Sequence, residues 1–171
     1  MQDIKDLFSE FLNFQYDESD KPFDYIGTDT ETALLCITDQ EIREKIQEAL
    51  KNHDYFISEV ETAKEAVKKM RFHVYTLLVI DEGFDTTNPE TNDLVRYLAT
   101  FPMSTRRRMF VVLLSNHHRT LDRMTALNRS VNMIINKQNL KDFMTLVNNG
   151  RAENEGFYFT LTEALKASKK I

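Results

Sequence analysis

Five short β-favouring runs recur along the chain, each followed by a segment of helical periodicity, and this alternation limits the fold more than any other feature. Ala33-Leu34-Leu35-Cys36-Ile37, Tyr55-Phe56-Ile57-Ser58-Glu59-Val60, Thr76-Leu77-Leu78-Val79-Ile80, Phe110-Val111-Val112-Leu113-Leu114 and Val131-Asn132-Met133-Ile134-Ile135 read as strands. Runs apolar on both alternating faces belong to strands covered on both sides. The expectation is therefore a doubly wound α/β domain, with a five-stranded parallel sheet between helices and right-handed crossovers.

Helix starts are written between the strands. Thr38-Asp39-Gln40-Glu41 and Thr62-Ala63-Lys64-Glu65 both have the S/T-x-x-E form that satisfies orphan amides, predicting helices over 40–52 and to about Phe72. Asn88-Pro89 supplies an N-cap and a first-turn proline for a helix over 89–101. A fourth helix is expected over about 118–130, and a fifth is capped by Asn139 and ends at Asn149-Gly150. The domain so defined covers 33–150.

Outside it lie two amphipathic stripes. Ile4, Leu7, Phe8, Phe11 and Leu12 predict a helix over 3–14, joined to the domain by an acidic linker over 15–32; Phe157, Tyr158, Leu161 and Leu165 predict an extra C-terminal helix within 151–171. Two uses stand open for these faces, covering the domain or forming a homodimer seam, and packing on the parent domain is the expectation.

Composition removes several classes of function. Of 171 residues, only Cys36 is a cysteine, so no internal disulfide or zinc ribbon can form, and a reducing, cytoplasmic setting is expected. No apolar stretch approaches 18 residues and the N-terminus lacks a signal-peptide pattern, so no membrane association is expected. Four glycines cannot write a G-x-G-x-x-G fingerprint or a phosphate-binding P-loop. His53, His73, His117 and His118 form no H-E-x-x-H pattern, Ser115 has no G-x-S-x-G elbow and Cys36 lies mid-strand, which leaves no metal centre or hydrolase nucleophile among them.

The net charge of −5 is uneven. Residues 1–32 hold two Lys against nine acids, a net of −7, whereas residues 96–129 hold seven Arg against one acid, a net of +6. The acidic chain as a whole argues against nucleic acid. Arg106, Arg107, Arg108, Arg119 and Arg123 are candidate contacts for a protein partner, and solvated surface or the folding back of the acidic arm would account for the same charges.

In a doubly wound sheet the functional crevice lies beyond the carboxyl ends of the strands. Those ends carry Asp39, Asp81, Ser115 and Lys137. In this order and spacing, over about residues 33–149, the chain resembles the CheY-like receiver domain of bacterial response regulators. The resemblance implies a flavodoxin-like strand order of 2-1-3-4-5, Asp81 as phosphoacceptor, Asp39, Asp81 and the Gly83 carbonyl around Mg²⁺, and Ser115 and Lys137 as the phosphoryl clamp. A carboxylate nucleophile attacking phosphorus needs such a cation, hydroxyl and ammonium to offset charge.

The chain also departs from that family's pattern. Thr38 stands where a second acid is usual, Gln138 rather than Pro follows Lys137, Ile134 replaces a switch aromatic, and the loop after Asp81 lacks the usual Met-Pro and Asp-Gly. Each residue has a structural use as well: Asp39 as an acid favoured in the first turn of a helix, Ser115 as a helix cap, Lys137 as Asp81's ion-pair partner. The reading is a degenerate receiver, non-enzymatic and requiring no cofactor, that signals through contact with another protein; the alternative is a phosphoacceptor charged by a histidine kinase on Asp81 with Mg²⁺. With 21 residues after Gly150, no fused output domain is expected.

Overall fold

The computed structural model describes residues 30–88, 90 and 92–168. Its centre is a sheet of five parallel strands, β1 Thr32–Cys36, β2 Phe56–Glu59, β3 Leu77–Asp81, β4 Phe110–Ser115 and β5 Met133–Asn136, in the order β2-β1-β3-β4-β5. Every residue of β1, β3 and β4 is buried, which is why these stretches are continuously apolar in sequence. The helices are α1 Gln40–Lys51, α2 Ala63–Phe72, α3 Asp93–Leu98, α4 Met103–Arg106, α5 Arg123–Asn128 and α6 Phe143–Ala167, with a 3-10 segment at Lys137–Asp142.

The two-residue period of the strands divides the core. Leu34, Cys36, Leu78, Ile80, Val111 and Leu113 face one layer, with Val67 and Met70 of α2 and Leu94 and Leu98 of α3. Leu35, Leu77, Val79, Val112, Leu114 and Ile135 face the other, with Ile46 and Leu50 of α1 and Phe143 and Val147 of α6. The doubly wound architecture and the 2-1-3-4-5 order are those expected. The chain steps outward one way to β2 and the other way to β4 and β5, so strand order reverses between β1 and β3, and the crevice opens beyond Cys36 and Asp81.

Four boundaries differ from expectation. At α1 the N-cap is Asp39, not Thr38, its side chain accepting from the Ile42 N–H. The helix expected over 89–101 is only α3, because the cap is Asn92 and not Asn88: Asn92 is buried and its Oδ1 accepts from Val95 N–H, while Asn88 instead turns its Oδ1 to the Glu90 N–H. The helix expected over 118–130 is only α5, capped by Asp122, since residues 116–122 are drawn over the end of β5. There Asn136 donates from Nδ2 to the His118 carbonyl, and its own N–H donates to Thr120 Oγ1.

The fourth difference is at the C-terminus. The helix neither starts at an Asn139 cap nor ends at Gly150: Asn139 lies inside the 3-10 segment, which Asn136 caps, and α6 runs unbroken from Phe143 to Ala167, so the expected C-terminal amphipathic helix is its distal half. Gly150 is there for proximity. A Cβ at this position would meet the Met133 terminal methyl and the Phe110 ring edge, so glycine lets α6 lie close against β4 and β5. The expected N-terminal helix over 3–14 and nearly all of the linker lie outside the described residues.

Candidate functional site

Register places three of the four strand-end residues together. Asp81 closes β3 opposite Leu114, Ser115 closes β4 opposite Asn136, and Lys137 follows Asn136 directly. Asp81 is 5% exposed, and both its oxygens are engaged. Lys137 Nζ lies 2.7 Å from Oδ2, and the Gly83 N–H donates to Oδ1 at 3.1 Å. The ammonium reaches across the end of β4 to the carboxylate, joining β3 to β5. A buried carboxylate in an apolar layer needs such a partner, because desolvation otherwise opposes its charge.

Ser115 is fully buried. Its Oγ accepts from the N–H groups of His117 and His118, both at 3.0 Å, and so caps the turn after β4. Asp39 is exposed and its Oδ1 accepts from the Ile42 N–H at 3.1 Å. Its described contacts are those of a helix cap.

Two residues of this region escaped the sequence reading. Glu82 is as buried as Asp81; its N–H donates to Leu114 O and prolongs the β3–β4 ladder, and its Oε1 accepts from the Asn116 N–H at 2.8 Å. Asn92 donates from Nδ2 to the carbonyls of Glu82 at 3.2 Å and Phe84 at 3.1 Å, while capping α3. It fixes the path of the loop that carries Asp81 and Gly83. Asn92, preceding Leu94, Val95 and Leu98, was the available signal for the cap; nothing in sequence marks Glu82 as buried.

A resident Mg²⁺ would have to be held by Asp39, Asp81 and the Gly83 carbonyl. Among the described residues no group of three or more His, Cys, Asp or Glu is gathered as a metal site. Asp81 faces an ammonium at 2.7 Å and Asp39 holds the end of α1, while Thr38 offers no carboxylate. Mg²⁺ is held through oxygen donors, commonly one or two carboxylates with waters, and the Asp39 and Asp81 carboxylates and the Gly83 carbonyl are donors of that kind.

The candidate arginines sit differently. Arg106, Arg107 and Arg108 precede Phe110, and Arg119 lies in the turn after Ser115. Arg123, at the start of α5, has come back toward the amino ends of β4 and β5 and lines one groove with Phe110 and Asn132. Arg106 is also engaged internally. It donates to the Met109 carbonyl, the Ser130 carbonyl and Asn132 Oδ1 at 2.9–3.0 Å, stapling the start of β4 to the start of β5, and burial lowers its pKa from the ordinary value. These bonds give it a structural role. Arg123 pairs with Glu153 of α6 at 3.0 Å, and Arg108 and Arg119 are exposed.

No family profile matches the chain, and no curated protein matches it. Solved structures do. A receiver domain of a Francisella response regulator is 17% identical with a TM-score of 0.58, over 72% of this chain and 98% of its own. A CheY-like receiver domain from Methanospirillum hungatei is 17% identical with a TM-score of 0.58, over 74% and 98%. The HemR receiver domain of Leptospira biflexa, solved in its non-phosphorylated form, is 20% identical with a TM-score of 0.56, over 71% and 94%. At these identities the likeness is one of fold: this chain has the CheY-like receiver fold. No helix among the described residues is long and apolar enough to cross a membrane.

Proposed function

We propose that this chain is a receiver-fold signalling module that acts by contact with another protein and carries no phosphoryl group. The observation behind this reading is the state of Asp81: 5% exposed, one oxygen on Lys137 at 2.7 Å, the other on the Gly83 N–H. In this reading the pair is a lock between β3 and β5, and the chain needs no cofactor and turns over no substrate. Ser115 and Asp39 support it, since the oxygens the family uses for phosphoryl and metal binding accept backbone N–H bonds and hold turns.

Partner contact then falls to the outer cations. Arg108 and Arg119 are exposed, and an acidic partner would engage such cations. A cytoplasmic location accords with a single buried thiol, whose pKa burial pushes far up.

The convergence of Asp81, Ser115 and Lys137 also favours a second reading, a phosphoacceptor served by a histidine kinase with Mg²⁺. An amide-resolved NMR titration with Mg²⁺ and then beryllofluoride, a mimic of the aspartyl phosphate, separates the two, with Asp81→Asn as control. The expected result is no saturable shift at Asp39, Asp81, Ser115 or Lys137 at millimolar Mg²⁺. Saturable shifts absent from the variant would overturn the interaction-only reading.

A further inference from the structure

Helix α6 is covered along only part of its length. Phe143 and Val147 are buried and Gly150 lies against Met133 and Phe110, but beyond Gly150 none of the described residues of the helix is buried. The sequence there is a poor helix former. Gly156-Phe157-Tyr158-Phe159-Thr160 combines glycine, aromatic and β-branched residues, yet α6 stays helical to Ala167. A helix of such composition depends on packing an apolar face, since propensity does not hold it.

That face is present and continuous with the domain. Phe157 and Leu161, one turn apart, are 80% and 41% exposed, and Phe157 lines a groove of about 700 Å³ beside β5 with Leu121 and Leu127, 51% and 72% exposed. Met124, three residues from Leu127 on α5, is 68% exposed. Together these five side chains leave on the order of 500 Å² open, at the upper end of what a monomer exposes in one patch. A stable pair of proteins covers about 800 Å² on each partner, so this patch with a polar rim has the extent of one half of an interface.

We propose that the occupant is a second copy of this chain, packed antiparallel along α6 about a two-fold axis near Leu161. The spacing selects this arrangement. Phe157, Leu161 and Ala164 share one helix face at i, i+4 and i+7. Antiparallel packing sets each Phe157 over Ala164 of the other copy and brings the two Leu161 together at the axis, so large meets small twice. Parallel packing would press Phe157 on Phe157, leave a gap between the two Ala164, and align the helix dipoles unfavourably. In the antiparallel pair the last turns of one α6 also run back past Phe157 to Leu127 and Met124 of the other copy, which accounts for the open side chains on α5.

Sedimentation equilibrium of the full chain tests this, with twice the chain mass expected at micromolar concentration. Phe157→Glu is expected to weaken association by about thirtyfold or more without moving the strand amides. Phe159→Glu, 64% exposed on the opposite side of the helix, should leave association unchanged. Oxidative cross-linking reads the direction: with Phe157→Cys and Ala164→Cys on separate chains, the mixed pair should form in preference to either variant with itself, and buried Cys36 stays out of the reaction. A chain that remains monomeric up to millimolar concentration would overturn the proposal, its apolar face then being covered by its own chain or left bare. So would equal weakening by both glutamates, or each cysteine variant cross-linking best with itself. None of these readouts involves Asp81, so their failure is distinct from that of the Mg²⁺ titration.

Discussion

At the carboxyl ends of the strands Asp81 meets Lys137, and at the amino ends Glu31 meets Arg151, yet the two pairs are built differently. Asp81–Lys137 is a compact pair with side chains only 6% and 16% exposed, completed by one backbone N–H. Glu31–Arg151 is wetter, with Glu31 45% exposed, and belongs to a wider network in which Arg151 also donates to Tyr55 Oη and Thr76 donates to Glu31. Neither is a general prop for stability, since buried charges regain in pairing roughly what desolvation takes. The difference lies in what each leaves behind when broken. The outer network can readmit water; the inner one strands a charge among apolar strand ends.

The largest effect should come from stranding that charge. Lys137→Met is expected to lower unfolding free energy by about 3–5 kcal/mol in urea at neutral pH, and the added change Asp81→Asn should return most of it. If the single variant lost less than the amino-end variant below, the contrast between the two ends would fail. Next is the scaffold of the inner site: Asn92→Ala removes the α3 cap and uncovers buried carbonyls, a loss of about 2–3 kcal/mol by the same measurement.

At the amino end Arg151→Met should cost about 1–2 kcal/mol, discounted because Glu31 is nearly half exposed. Its amide-exchange protection should fall in α6 and at Tyr55, leaving Asp81 and Lys137 unchanged. The smallest effect is one of pH. Burial by itself raises the Glu31 pKa, but hydrogen bonds from Arg151 and Thr76 outweigh it and hold the carboxyl below its ordinary 4.5. A depressed folded-state value contributes stability above pH 4.5 that is lost as pH falls through the folded value. Acid titration of stability should therefore show a contribution below about 1 kcal/mol that Glu31→Gln removes.

The strands were legible because burial on both faces demands continuous apolar runs, and α1 and α2 because their capping residues sit beside clear stripes. The later helices were less so. Asn88-Pro89 offers as good a local start as Asn92-Asp93, and only the buried carbonyls of Glu82 and Phe84 select Asn92. Gly150 has the composition of a helix end, yet the closeness of Met133 and Phe110 makes it an interior position. The arginines read as one cluster because they are near in sequence, yet Arg106 is bonded to the start of β5 and Arg123 is paired with Glu153 of α6.

Sequence by itself determined the class of fold, the order of its elements, the strand-end position of Asp81, Ser115 and Lys137, and the two amphipathic stripes, since all of these depend on periodicity and local backbone chemistry. Tertiary structure decided that Asp81 is closed by Lys137, that Ser115 and Asp39 hold turns, that Arg106 is bonded to the start of β5, and that a groove lies along the edge of β5. Those depend on which side chains meet across strands far apart in the chain, and no local pattern encodes a distance.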